Sequence, residues 1–330
     1  MGDIAVPYPW QQDYWGKLIE AEAEKHLPHA LMFVGQQGVG KNRIAQAFAH
    51  YLLCDDDGKN SQARACGFCK SCQLNTAGTH PDLKMIEPEE LGKAIKIDQV
   101  RALVTSIQKT AQFDGYRVVI IRPAEALNIA AANALLKTLE EPGEGTVLLL
   151  VTNSVSTLLP TIKSRCQTVS FNVPAKEKVL PWLTPIVGDE DQALHLLRAA
   201  SDCPLKALEF LDSEWFGKRA ETLQDLLAIQ AGTMDPLKLA KKWLDYPILE
   251  LMDWLLIWSV DLLKLQSGVN ERVNNPDLLP SLTTLSEQLD SDFVISFSDK
   301  VRNVKRESMS SANPNKQLLL EDLLLQWQDA

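Results

Sequence analysis

The stretch Gly35-Gln36-Gln37-Gly38-Val39-Gly40-Lys41-Asn42 follows directly on the apolar run Ala30-Leu31-Met32-Phe33-Val34. It matches the phosphate-loop pattern G-x-x-x-x-G-K-[ST] in all but its last residue. In that pattern glycines let backbone N–H groups curl around phosphate oxygens, the lysine meets the terminal phosphates, and a hydroxyl holds Mg²⁺. Gly35, Gly38, Gly40 and Lys41 are in place, but Asn42 stands where the hydroxyl belongs, and an amide oxygen is a poor substitute. The apolar run predicts a buried strand, and apolar positions at helical spacing predict a helix over 43–53. The expectation is a loop that keeps the fold of an ATPase without its chemistry.

Working outward, Arg117-Val118-Val119-Ile120-Ile121 and Val147-Leu148-Leu149-Leu150-Val151 read as two more buried strands, short and continuously apolar. Between and before them the pattern predicts helices over 97–111 and 129–141, the second opened by Asn128 as N-cap and ended by Pro142. Strands alternating with helices of about a dozen residues imply a parallel sheet covered on both faces, the doubly wound α/β class. From about Val173 the strand signal fades and helical segments take over, with a further break near Asp212. With 330 residues and roughly 150 residues per domain as a guide, two or three domains are expected. The boundaries predicted are 1–172, 173–212 and 213–330.

A hydrolysing phosphate-loop enzyme also needs acids at the end of a neighbouring buried strand, one for the Mg²⁺ shell and one to position water. Here Ile121 is followed by Arg122-Pro123-Ala124-Glu125, so a cation and a proline occupy those places. Glu125 reads as a surface acid near a helix start. The two defects agree, because together they remove both protein groups that manage the metal. No Mg²⁺ is expected. Gly35, Gly38, Gly40 and Lys41 remain a vestigial anion-attracting loop, and weak ATP binding and none are equally open.

Cys54, Cys66, Cys69 and Cys72 follow C-x11-C-x2-C-x2-C. Two overlapping CxxC knuckles present several thiolates to one ion, and Cys54 supplies the fourth for a tetrahedral all-cysteine zinc site. With no coordination position left for water, such a zinc is structural. It would staple an insertion at about 54–80 that has little core of its own, a contribution on the order of 10 kcal/mol in small peptides. Cys166 and Cys203 fall outside the pattern and read as ordinary buried thiols. The densest apolar stretch, Trp254 to Val260, lies between Asp253 and Asp261 and is too short to span a bilayer. The first residues lack the basic and long apolar regions of a signal peptide, so a cytoplasmic chain with no membrane partner is expected. A net charge of −10 weighs against strong nucleic-acid binding by the chain alone.

Several segments together resemble the bacterial clamp-loader AAA+ subunits of the DNA polymerase III holoenzyme. They are residues 131–142, Ala-Ala-Asn-Ala-Leu-Leu-Lys-Thr-Leu-Glu-Glu-Pro; Ser164-Arg165-Cys166; and the four-cysteine insertion. The defective loop, the opening Tyr8-Pro9-Trp10, the motif Gly78-Thr79-His80-Pro81-Asp82 and the leucine-rich ending 315–325 are similar to the non-hydrolysing branch of that family. The resemblance implies an AAA+ core carrying the zinc insertion, a small helical lid and an all-α collar that joins five subunits in a ring. The implied partners are gamma/tau motor subunits and a delta subunit, with the sliding clamp and primed DNA reached through the complex. It further implies a stator that does not hydrolyse ATP and that offers Arg165 in trans to ATP held by a neighbouring motor subunit. Asn153 matches the position of a γ-phosphate sensor, and Lys206 matches loosely that of a second sensing residue. Two other readings stay open: an ATP-hydrolysing motor subunit, against which Asn42 and Arg122-Pro123 speak, and a zinc-bearing nucleic-acid-binding module with Arg64, Lys70 and Lys84 as contacts.

Overall fold

The computed structural model describes residues 4–55, 63–90, 92–107, 115–214, 216–308 and 314–330. The end of the helix expected over 97–111, the middle of the cysteine insertion at 56–62, and Trp215, expected to open a helix, lie outside the described residues. The chain divides into two compact units, Met1–Trp182 and Leu183–Ala330.

The first unit is built on a five-stranded sheet of β1 (Ala30–Gly35), β2 (Leu83–Ile86), β3 (Arg117–Ile121), β4 (Thr146–Thr152) and β5 (Gln167–Phe171), in the order β2-β3-β4-β1-β5. Every pairing is parallel. The helices are α1 (Gln12–Ala23), α2 (Lys41–Leu52), α3 (Lys70–Thr76), α4 (Ile97–Ile107), α5 (Ile129–Glu140) and the short α6 (Pro160–Lys163); α7 (Lys176–Val187) begins in this unit. Ala30 and Met32 of β1 join Val119, Ile121, Leu148 and Leu150 in one core layer with α4 and α5, while α2 packs against the sheet's other face.

The three central strands are the ones expected from sequence, because a strand covered on both faces reads as an unbroken apolar run. The two edge strands were not. Leu83-Lys84-Met85-Ile86 and Gln167-Thr168-Val169-Ser170-Phe171 are only half buried or largely exposed, so they carry polar residues as edges do. Asn128 caps α5 as expected, its side chain accepting from Ala131 N at 2.8 Å.

The second unit is helical throughout its described residues: α8 (Glu190–Ala199), α9 (Pro204–Asp212), α10 (Arg219–Gln230), α11 (Pro236–Trp243), α12 (Ile248–Gln266), α13 (Leu279–Gln288), α14 (Ser291–Ser308) and α15 (Lys316–Gln328). Trp243, Trp254, Trp258 and Trp327 are all buried in one core with Phe297, so these aromatics serve packing. Polar ties fasten α9 to the longer helices: Lys206 bonds Asp253 at 2.7 Å, Lys305 grips the same carboxylate, and Ser213 bonds Glu250 at 3.0 Å. Arg219 links α8 through His195 at 3.3 Å and also pairs with Asp277.

His50 on α2 accepts the Ala5 N–H at 3.3 Å. Burial above all, and then the charges of Arg43 and His80, push its imidazole down from the ordinary value of 6.5 to about 4. The folded chain therefore keeps His50 neutral where the unfolded chain protonates it, so stability is lost as pH falls from about 6.5 towards 4. That loss is about 3 kcal/mol when complete. Urea midpoints at pH 7.5 and 4.5 should fall further apart for the native chain than for His50→Gln, which keeps an acceptor but does not titrate. Equal spacing for the two would contradict this reading of His50.

Candidate functional site

β1 ends at Gly35, where β4 and β5 flank it on either side. A Cβ on Gly35 would lie 2.4 Å from the Phe171 carbonyl oxygen, so the position admits glycine alone. Gly40, the N-cap of α2, has φ +95°, and a Cβ there would meet Gln11 and the Tyr8 ring, each at 2.8 Å. The outer wall of the loop is thus formed by the opening segment. Trp10 and Gln11 both donate to Val39 O, at 3.0 and 3.3 Å. Tyr8 stacks on Trp10 at 4.7 Å, and Trp182 packs edge-on against both.

Inside this wall Lys41 is turned inward and buried. Its ammonium donates to Gly35 O at 2.8 Å, Gln36 O at 2.7 Å and Asn153 Oδ1 at 2.8 Å. An ammonium has three N–H donors, so the loop and Asn153 satisfy the cation that the phosphate pattern reserves for a ligand. Asn42 is exposed. Arg122 pairs with Glu87 rather than reaching the loop.

Glu125 departs from its expected place on the surface. It turns inward, Oε1 accepting the Asn153 N–H at 3.0 Å, while Oε2 is buried with no hydrogen-bond partner among the described residues. The sequence hides this, because the acid lies four residues past Ile121 rather than next to it. A short 3₁₀ turn, Ala124–Ala126, brings it back towards β4.

The four expected cysteines converge, their sulfurs all within 4.8 Å of one another. Cys54 and Cys69 stand 3.9 Å apart, Cys66 and Cys72 3.8 Å. A tetrahedral ion with Zn–S bonds of about 2.3 Å has S–S edges of about 3.8 Å, so the donor set fits such an ion. Backbone N–H groups are already aimed at the sulfurs: Cys66 N at Cys54 (3.4 Å), Cys69 N at Cys66 (3.3 Å) and Cys72 N at Cys69 (3.4 Å). Burial pushes the Cys66 thiol up, but backbone donors at Cys69 and Phe68 outweigh it and bring it down to about 7. Burial drives Cys72 strongly upward, reinforced by Cys69 and Cys54. A bound cation is what would let all four ionise together. Cys166 and Cys203 lie apart from the cluster.

Arg165 follows α6, far along the sequence from the loop. Its Nε donates to Glu140 Oε1 at 2.9 Å, with Nη2 on the same oxygen, and Nη1 donates to Thr161 O at 2.9 Å and Ser164 Oγ at 3.3 Å. The side chain is about a third exposed (33%) and held in one orientation. Glu140 belongs to the quoted 131–142 segment, but nothing in the sequence pairs it with Arg165. Lys206 is committed to Asp253.

Family models described as "DNA polymerase III, delta subunit" and "DNA polymerase III, delta subunit, C terminal" match residues 10–175 and 213–329. The chain is similar to DNA polymerase III subunit delta' of Pseudomonas aeruginosa, with 38% identity over 99% of this chain and 98% of that protein. It is also similar to DNA polymerase III subunit delta' of Escherichia coli K12, with 31% identity over 96% of this chain and 94% of that protein. Among solved structures, a DNA polymerase III gamma subunit-related protein from Thermotoga maritima aligns over 97% of this chain and 99% of that one, with 22% identity and a TM-score of 0.45.

The packing of the loop gives opposite expectations for two glycines of the first unit. Gly35→Ala forces a methyl against the Phe171 carbonyl and should lower stability by about 1–3 kcal/mol. Gly16→Ala, inside α1 with nothing within 4 Å of the new methyl, should raise it by about 0.5–1 kcal/mol. Denaturant titration of both variants checks the signs.

Proposed function

Because the chain belongs to the family of DNA polymerase III delta' subunits, we propose that it is the non-hydrolysing stator of a clamp loader, helping to place a sliding clamp on primed DNA during replication in the cytoplasm. The observation that carries this reading is the state of Lys41. Its three hydrogen bonds to Gly35, Gln36 and Asn153 occupy the donors that a triphosphate would need. Gly35, Gly38, Gly40 and Lys41 then serve as a structural turn. An entering nucleotide would have to break those bonds without the gain of a metal, since Asn42 and Arg122 supply no ligand for one.

The chemistry this chain contributes lies instead at Arg165. A guanidinium is always charged, planar and able to grip two phosphate oxygens at once. Glu140, Thr161 O and Ser164 hold it in one orientation, so little rotamer freedom is lost when it meets a neighbour's ATP. In that position it would stabilise charge spreading over the transferred phosphoryl group.

The neighbours in this reading are gamma/tau motor subunits and a delta subunit in a ring of five. We assign residues 1–172 to the AAA+ core, 173–212 to a lid and 213–330 to a collar through which the subunits join. Leu318 and Leu325, 60% and 43% exposed on one face of α15, support a collar surface that other subunits cover. No helix among the described residues is long and apolar enough to cross a membrane. Cys54, Cys66, Cys69 and Cys72 would hold one structural zinc, which supplies no open coordination position and pins the insertion to the end of α2.

Two measurements test this. In a ring reconstituted with motor subunits, Arg165→Ala should slow hydrolysis at the single site it serves by on the order of 10³-fold in a single turnover, while the chain alone hydrolyses no ATP. Unchanged clamp-stimulated hydrolysis, or hydrolysis by the isolated chain that Lys41→Ala abolishes, would overturn the assignment. Elemental analysis should find about one zinc per chain, lost in Cys69→Ser; a native chain without zinc would remove the metal from the reading.

A further inference from the structure

Beside the cysteines runs a second set of side chains whose donors and acceptors have one consistent orientation. The Asp82 backbone N–H donates to His80 Nδ1 at 3.1 Å. Nδ1 therefore carries no proton, and a neutral imidazole carries it on Nε2, which lies 3.0 Å from Ser71 Oγ. The Ser71 hydroxyl in turn donates to Asp55 Oδ1 at 2.8 Å, and the Ser71 N–H donates to Asp55 Oδ2 at 3.2 Å. Ser71 is fully buried and His80 nearly so, whereas Asp55 lies at the surface. The direction of donation, from histidine through serine to carboxylate, is the reverse of what a nucleophilic serine requires. The set holds parts together.

What it holds is defined by its neighbours in the chain. Asp55 follows Cys54, Ser71 precedes Cys72, and the motif containing His80 leads into β2. Cys66, Cys69 and Cys72 sit in one local turn and helix, and two of the N–H···S bonds order them among themselves. Cys54 alone arrives from elsewhere, at the end of α2, so its distance from the other three depends on how that end is fastened to α3. The two bonds from Ser71 to Asp55 make that fastening from outside the ligand set, beside the single Cys66 N–H that reaches Cys54 Sγ.

We infer that Asp55, Ser71 and His80 form an outer clasp that sets Cys54 against the Cys66–Cys69–Cys72 turn and thereby sets the affinity of the site for a tetrahedral metal ion. The inference rests on the reading of the four cysteines as a metal site. Partners beyond the ligand shell that orient ligands contribute roughly 10- to 100-fold in metal affinity where they have been removed. The clasp acts on position, since neither Ser71 nor His80 is itself a ligand.

The test uses the full chain and Zn²⁺ itself, titrated against a chromophoric chelator, with the Co²⁺ form read by absorption as a check on tetrahedral thiolate coordination. Ser71→Ala and Asp55→Ala should each weaken zinc binding by about 10- to 100-fold. The double variant should be no weaker than Asp55→Ala, because Ser71→Ala keeps the backbone N–H and loses only the hydroxyl's bond, which Asp55→Ala removes as well. Asp55 is exposed, so its variant has no core to disturb and remains informative where Ser71→Ala does not fold. A role in folding alone would lower the melting temperature equally with and without metal. The clasp predicts instead that the rise in melting temperature on adding zinc shrinks. Binding within about twofold of native in both variants overturns the clasp while leaving the metal site standing; a native chain that binds no zinc overturns the metal reading and the clasp with it.

Discussion

The parallel pairing of β1 with β4 on one side and β5 on the other fixes where the phosphate-type loop begins and what stands beside it. Val34 lies opposite Thr152, so Gly35 comes level with Asn153, and Gly35 lies opposite Phe171. From that register follow the contact that excludes any side chain at position 35, the reach of Lys41 to Asn153 Oδ1, and the approach of Glu125 to the Asn153 N–H. The glycines are thus required by packing before any phosphate is considered. A loop can keep most of its pattern after its chemistry has gone, because the sheet and the opening segment still need its shape.

The first unit deals with its two notable cations in opposite ways. Lys41 is buried and satisfied by two carbonyls of its own loop and one amide. Arg165 is steadied by the Glu140 carboxylate, Thr161 O and Ser164 Oγ, and its side chain stays partly exposed. A lysine is a compact charge that a few carbonyls can saturate, while a guanidinium has five donors and is seldom saturated by one carboxylate. The choice of residue therefore suits the two fates. Glu125 completes the picture on the inner side, where its carboxylate holds the Asn153 backbone and so steadies the side chain that accepts from Lys41.

Legibility followed burial and locality. β1, β3 and β4 announce themselves because both of their faces are covered, whereas the edge strands Leu83–Ile86 and Gln167–Phe171 mix polar and apolar residues and pass for loop. The four cysteines could be grouped from spacing alone, since three of them fall within seven residues and tetrahedral thiolate sites have few alternatives. The side chains that steady them could not: Ser71 and Asp55 are ordinary residues whose partnership exists only once α2 and α3 are brought together. The same holds for Glu140 and Arg165, 25 positions apart, and for Glu125, whose inward turn depends on a backbone path that no periodicity records.

Asp253 is clamped from two sides, by Lys206 of α9 and Lys305 of α14. Burial pushes its carboxyl up, but the two lysines outweigh that and hold it ionised below its ordinary value. Removing either ammonium would leave a largely buried charge with half of its compensation, which costs more than a surface pair is worth. Because α9 and α14 are separated by about a hundred positions in the chain, this one carboxylate on α12 ties a short early helix of the second unit to two of its long later ones.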